Sequence, residues 1–175
     1  VVEPTPPVRS PRSNPATLSK AIDGIRKRFA ATREARDLGV DAGWFSFNRA
    51  GGRCEACEGA GEVVVEMHFL DDLRVPCDHC NGARYRPEAL RVRLAGRSIV
   101  EVLDMTLDEA TVFFAEHAEI VERLRPYVRV GLGYLTLGQP LSTLSGGESQ
   151  RLRIAAALGE ERARTLYVLD EPTTG

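Results

Sequence analysis

The sequence predicts an α/β fold: a helical region and an apolar strand frame part of a nucleotide site, with a small β-hairpin metal module inserted. Three observations carry that expectation. Leu144-Ser145-Gly146-Gly147-Glu148-Ser149-Gln150-Arg151 is a glycine-rich turn opening a helix. Thr165-Leu166-Tyr167-Val168-Leu169-Asp170-Glu171-Pro172 is an apolar strand ending in adjacent carboxylates. All four cysteines fall in two C-x-x-C pairs flanking a hairpin pattern. A phosphate-cradling G-x-x-x-x-G-K-[S/T] loop needs a lysine. The only lysines, Lys20 and Lys27, follow no such glycine pattern.

Composition bounds the rest. A chain of 175 residues, 43% hydrophobic and 27% charged, has material for one core and a small satellite. A net charge of −2 predicts no overall attraction to polyanions, so such binding must come from local patches. All but two of the 23 basic residues are arginine, which suits a GC-rich genome and also suits phosphate recognition by planar guanidinium forks. No apolar run is long enough to span a bilayer and no signal-peptide pattern opens the chain, so a cytoplasmic protein with no membrane partner is expected.

The elements follow in order. Four prolines make Val1–Asn14 an extended loop. Pro15–Leu38 reads as one helix, with Leu18, Ile22, Ile25 and Phe29 at helical spacing and Gly39 as the stop. Arg26, Lys27, Arg28, Arg33 and Arg36 lie mainly off that stripe, as a solvated face or a nucleic-acid surface. Trp44–Gly61 is a turn-rich approach to the first cysteine pair. Glu62–Pro76 reads as a hairpin, with Val63, Val65, Met67 and Phe69 alternating with Val64, Glu66 and His68, and a turn at Asp71-Asp72. Leu90–Ile99 reads as a second short hairpin turning at Ala95-Gly96. Thr106 and Glu109 form a capping box opening a helix to about His117. A further helix runs from about Ala118 to Val130 with Pro126 breaking or kinking it, and Gly131–Gln139 is a loop.

The cysteines give the sharpest chemistry. Cys54-x-x-Cys57 and Cys77-x-x-Cys80 are separated by 19 residues, a spacing suited to two knuckles on one zinc ion. A two-residue gap lets both thiolates of a pair face one metal, at about 2.3 Å each. Gly59, Gly61 and Gly82 follow the pairs where a tight knuckle needs backbone freedom. Four sulfur ligands leave no open position, so the site is expected to be structural; two redox-active pairs are the alternative. His79 lies inside the second knuckle as a bystander, and His68 and His117 are lone histidines with ordinary surface or core roles.

Ser145 with Glu148 three residues on is another capping box. Its helix start offers backbone N–H groups beside Gly146 and Gly147, where no Cβ blocks a close approach, so it suits an anion. In the apolar strand, Asp170 is placed to hold Mg²⁺ and Glu171 to orient or deprotonate an attacking water. An acidic loop after a core strand is the bland alternative. The SGGE tract 25 positions upstream argues against it.

These residues resemble an ABC-type ATPase, LSGGESQR matching the signature motif and LYVLDEP the Walker B strand. The stretches RSPRSNPATL, FSFNRAGGRCEACEGAGEVVVEMHFL, VPCDHCNGARY, EVLDMT, VGLGYLTLGQPLSTLSGGESQRL and LYVLDEPTTG closely resemble the UvrA family, the damage-recognition subunits of bacterial excinuclease. The resemblance implies a partial ABC-type ATPase lobe, signature helical region plus Walker B strand, with an inserted β-hairpin zinc-knuckle module. It divides the chain into residues 1–16, the end of a Q-loop region; 17–50, the helical part of the signature domain; 51–89, the four-cysteine zinc module; 90–143, the hairpin and helices of the signature domain; and 144–175, the signature helix and Walker B strand.

The same resemblance implies a homodimeric ATPase that binds double-stranded DNA, scans it for damage in nucleotide excision repair and loads a UvrB-like helicase subunit. It implies structural Zn²⁺, ATP and Mg²⁺ as cofactors. Ser145, Gly146, Gly147, Glu148 and Gln150 belong to the tract expected to close over the γ-phosphate of a nucleotide held by the opposite ATPase half. Asp170 and Glu171 serve the nucleotide of their own half. The zinc module is implicated in DNA contact, making Arg53, Arg84 and Arg86 candidates for phosphate contacts, with solubilising surface as the alternative.

One departure stands out. The family's D-Q-S-P-I-G loop aligns with Glu3-Pro4-Thr5-Pro6-Pro7-Val8, placing Pro4 where a glutamine probes the γ-phosphate and metal. That suggests a divergent paralogue, of the antibiotic self-resistance type. A chaperone-type zinc-knuckle protein should show more C-x-x-C-x-G-x-G repeats and no LSGGESQR, and a transporter ATPase subunit should lack the cysteines. Without a P-loop, the 175 residues are expected to be an internal piece of a larger ATPase, inactive alone.

Overall fold

The computed structural model describes residues 12–65, 67 and 73–159. The strand expected at Asp170 and Glu171, the loop expected around Pro4, His68 and the turn expected at Asp71-Asp72 lie outside these residues. The described chain divides into two compact units, one formed up to Gly24 and from Leu103 onward, the other by Ile25–Val102.

In the first unit, Asn14 opens helix α1 (Pro15–Leu18) with a reciprocal cap. Its side chain accepts from the Thr17 N–H at 2.9 Å, and the Thr17 hydroxyl accepts from the Asn14 N–H at 3.0 Å. The helix then stops. Lys20 takes φ +62°, and the Ser19 hydroxyl accepts from the N–H of Ala21, where helix α2 (Ala21–Ala30) begins. A second break follows in the other unit. Thr32 donates to the Phe29 carbonyl at 2.7 Å and accepts from the Ala35 N–H, capping helix α3 (Arg33–Asp37). The single helix expected over Pro15–Leu38 is therefore three. Ser19 and Thr32 give the backbone local partners that compete with the helical ladder. The first break also moves Leu18 off the apolar stripe to 38% exposure, while Ala16 and Ala21 fill the core. Ile22, Ile25 and Phe29 are buried, as their spacing predicts.

The second unit packs around aromatic rings. Phe29 lies 5.4 Å from Phe45 between centroids, and Phe47 meets Tyr85 edge-on at 6.2 Å. Strands β1 (Glu62–Val65) and β2 (Leu73–Pro76) form the expected antiparallel hairpin, in register Glu62↔Pro76 to Val65↔Leu73. Its two faces are not distinguished by burial: Val63, Val64, Val65 and Leu73 are all exposed. The alternation read in the sequence thus belongs to an open ribbon. Helix α4 (Pro87–Arg91), with proline in its first turn, takes up the start of the second expected hairpin. What survives of that hairpin is a single bridge, Leu94↔Arg97. Ala95 (φ +46°) and Gly96 (φ +81°) turn between the bridged residues, the sign pair that the tightest hairpin turns demand. Helix α5 (Ile99–Leu103) follows.

Back in the first unit, Thr106 and Glu109 form the expected capping box at helix α6 (Leu107–Phe113), which ends four residues earlier than predicted. Helix α7 (Ala118–Tyr127) stops one residue past Pro126, and the chain runs on through Val128–Leu132 with a kink at Gly131, whose φ is +78°. Proline removes a ladder donor, and a left-handed glycine cannot continue the helical path. The segment after it runs back beside α6: Leu107 donates to the Leu135 carbonyl at 2.9 Å and Asp108 to that of Gly133 at 3.0 Å. Leu141–Thr143 forms a 3₁₀ turn leading to helix α8 (Gly146–Gly159), anchored by buried Ser149, Leu152 and Ala155.

Candidate metal centre and signature helix

The two C-x-x-C pairs fold as similar turns. In the first, Gly59 and Ala60 donate to the carbonyls of Cys54 and Cys57 at 3.0 and 2.9 Å. In the second, Asn81 and Ala83 donate to those of Cys77 and Cys80 at 2.7 and 2.9 Å. Each pair is followed by two residues of positive φ, Glu58-Gly59 and Asn81-Gly82. The turns are tied together by Cys77 donating to the Gly61 carbonyl, and to the following chain by Cys54 donating to that of Arg84, both at 2.9 Å.

This places all four sulfurs within 4.8 Å of one another, the only such cluster of potential ligands among the described residues. Cys57 Sγ and Cys80 Sγ are 3.7 Å apart, far beyond a disulfide bond of about 2.05 Å. A tetrahedron with metal–sulfur bonds of about 2.3 Å has edges of about 3.8 Å, so the donor set fits one thiophilic cation. The Gly61 N–H donates to Cys57 Sγ at 3.3 Å, the kind of outer contact that orients a metal ligand. Burial pushes the Cys80 thiol up to about 12 and raises Cys57. Burial also acts upward on Cys77, but backbone N–H groups of Cys80 and His79 bring it below its ordinary value. Four crowded, desolvated thiols are poor company for one another, and a divalent cation offsets that by stabilising the thiolates. His79 is not part of the cluster.

The three candidate arginines surround this module in different states. Arg86 is exposed, and its N–H donates to the Gly52 carbonyl at 2.9 Å. Arg53 pairs with Glu55 at 3.4 Å and keeps only 16% of its side chain exposed. Arg84, with φ +68°, stacks its guanidinium 5.5 Å from the Phe47 ring centroid. Arg53 and Arg84 thus have structural partners of their own.

At α8, Ser145 and Glu148 cap each other. The Glu148 N–H donates to Ser145 Oγ at 3.3 Å, and Glu148 Oε2 accepts from the Ser145 N–H at 2.8 Å and its hydroxyl at 2.9 Å. The other carboxylate oxygen accepts from the Tyr134 hydroxyl at 2.6 Å. These bonds, led by that from Tyr134, hold the Glu148 carboxyl below the usual range, and the tyrosine is raised in return. Arg151 reaches the Gly131 carbonyl at 3.5 Å beside them. Gly146 is exposed, Gly147 and Gln150 half-buried. Tyr134 escaped the sequence reading: it lies in the Gly131–Gln139 loop, and no periodicity links it to Glu148 fourteen residues away.

No family model matches the chain. It is 55% identical over 175 residues to UvrABC system protein A of Thermus thermophilus, covering 99% of this chain and 18% of that protein. The protein of that name from Micrococcus luteus is 54% identical over the same shares, and one from Helicobacter pylori 51% over 95% and 18%. The crystal structure of UvrA2 from Deinococcus radiodurans superposes with a TM-score of 0.91 at 51% identity, over 97% of this chain and 20% of that one. The chain thus spans under a fifth of the length of these curated relatives.

Proposed function

The chain belongs to the UvrA family along nearly its whole length, and on that premise we propose that it supplies the zinc module and signature helix of a DNA-binding ATPase of nucleotide excision repair. The capped opening of α8 carries this reading. Ser145 N–H and hydroxyl are taken by Glu148, while among the described residues the N–H groups of Gly146 and Gly147 have no acceptor. Two adjacent donors at the positive end of a 14-residue helix suit the γ-phosphate of an ATP bound mainly by another ATPase half. Ser145 and Gln150 border that phosphate. Asp170 would hold Mg²⁺ and Glu171 the attacking water at the site of the chain's own half.

Cys54, Cys57, Cys77 and Cys80 hold structural Zn²⁺, which when bound supplies a fixed link between the two turns. With its four positions filled it takes no part in hydrolysis. The module presents Arg86 to duplex phosphates, with Arg53 and Arg84 stiffening the surface beside it. Such contacts position a protein without reading sequence, which suits a sensor of deformed duplex. A homodimer, a UvrB-like partner and a cytoplasmic site of action belong to the same reading. Pro4 favours a second one, a divergent UvrA-like paralogue acting in antibiotic self-resistance.

The test uses the full-length protein. Elemental analysis should find this module's zinc, lost as one equivalent per chain in Cys54→Ser, and a lesion-bearing duplex should bind more tightly than its intact counterpart. Arg86→Ala should weaken both duplexes about equally and flatten the salt dependence by about one phosphate contact. No loss of metal in Cys54→Ser overturns the zinc assignment. Equal affinity for damaged and intact DNA overturns the repair role in favour of the paralogue.

A further inference from the structure

Among the described residues, the only side chain outside the signature tract with a hydrogen bond to the Glu148 carboxylate is Tyr134, and its placement is not casual. The residues on either side of it, Gly133 and Leu135, are buried and accept backbone hydrogen bonds from Asp108 and Leu107 at the start of α6. The backbone carrying Tyr134 is therefore fixed to α6, while its ring stands 54% exposed with the hydroxyl on Glu148 Oε1. Glu148 is in turn divided: Oε1 goes to Tyr134 and Oε2 to Ser145. An ionised carboxylate at a helix start is attracted to every free N–H there, including those of Gly146 and Gly147.

Resting on the reading of α8 as a γ-phosphate site, we propose that Tyr134 is a positioning residue that clamps Glu148 onto Ser145 and so keeps the Gly146 and Gly147 donors open for phosphate. Without the clamp, Glu148 keeps one anchor instead of two, and its negative charge competes with the incoming phosphate for those donors. Ser145 loses the fixed geometry of its cap at the same time. The hydroxyl of Tyr134 acts only through Glu148 and does not touch the nucleotide.

Tyr134→Phe in the full-length protein removes that hydroxyl and leaves the ring. The dissociation constant for a non-hydrolysed ATP analogue, by equilibrium dialysis, and the KM for ATP should both rise about fivefold, the scale of one partly exposed charged hydrogen bond. The loss should fall more in KM than in kcat, with the melting temperature held. The double variant Tyr134→Phe/Glu148→Gln should recover the affinity, because the neutral amide still caps Ser145 but no longer competes as an anion. A silent Tyr134→Phe, or a double variant as weak as the single, overturns the clamp. Ser145→Ala separates the two layers. If it leaves binding and hydrolysis intact, the signature reading itself falls; if it impairs them while Tyr134→Phe is silent, only the clamp falls.

Discussion

Gly59 lies against the backbone of Phe47 so closely that a Cβ on it would sit 1.8 Å from the Phe47 carbonyl oxygen. Its φ of +78° is also one that side chains resist. The first cysteine turn is thus seated directly on the aromatic core. Gly59→Ala should displace that turn, costing more than about 2 kcal/mol of stability and reducing metal retention under chelator challenge. Gly96 is the control: its φ is +81° but nothing lies within 4 Å, so Gly96→Ala should cost only about 1 kcal/mol and retain metal. Thermal unfolding with metal analysis distinguishes the two, and equal behaviour would remove the steric argument.

Tyr85 is buried and donates its hydroxyl to the Phe45 carbonyl at 3.0 Å within the same aromatic core. Tyr85→Phe leaves that carbonyl without its donor and should destabilise the protein by about 1–2 kcal/mol. Burial raises the phenol above its ordinary value, Arg26 and Arg84 acting against the shift. The native state therefore favours the protonated form. Its contribution is complete below the unfolded tyrosine value and is lost as pH rises towards the raised one. Phenolate absorbance should show one tyrosine that ionises only with alkaline unfolding; ionisation of all four in the native protein at ordinary values would contradict this.

Glu101 caps the start of α5. Its carboxylate accepts from the Ser98 N–H at 2.8 Å, and the Ser98 side chain and backbone together hold its carboxyl below the usual range, with Arg93 and Arg97 adding to the effect. Because the native value is depressed, the stabilisation is present above the unfolded carboxylate value and fades as pH falls through the native one. Ser98→Ala should move the Glu101 midpoint upward, read by NMR titration of its side-chain carbon. An unmoved midpoint would assign the shift to the retained Ser98 backbone N–H and the arginines instead.

The sequence was most legible where the chemistry is local. The capping boxes at Thr106 and Ser145 are three-residue signals, and both form. The C-x-x-C pairs are equally local, and their shared turn geometry follows from the spacing. It was least legible where polar side chains near the chain's start compete with the helix. Ser19 and Thr32 sit inside a regular apolar period yet break it, because a hydroxyl hydrogen bond outweighs one more helical turn there. The hairpin pairs as its pattern predicts, but an alternating pattern says where side chains point and not whether anything covers them.

From residues alone came the four-cysteine donor set, the capped start of α8 and the family resemblance, all set by short-range spacing. Tertiary structure alone decided that Gly59 rests on Phe47, that Arg53 and Arg84 have partners while Arg86 is exposed, and that Tyr134 meets Glu148. Those relationships depend on how separate segments pack against one another, and packing obeys distance in space, for which position along the chain is no guide.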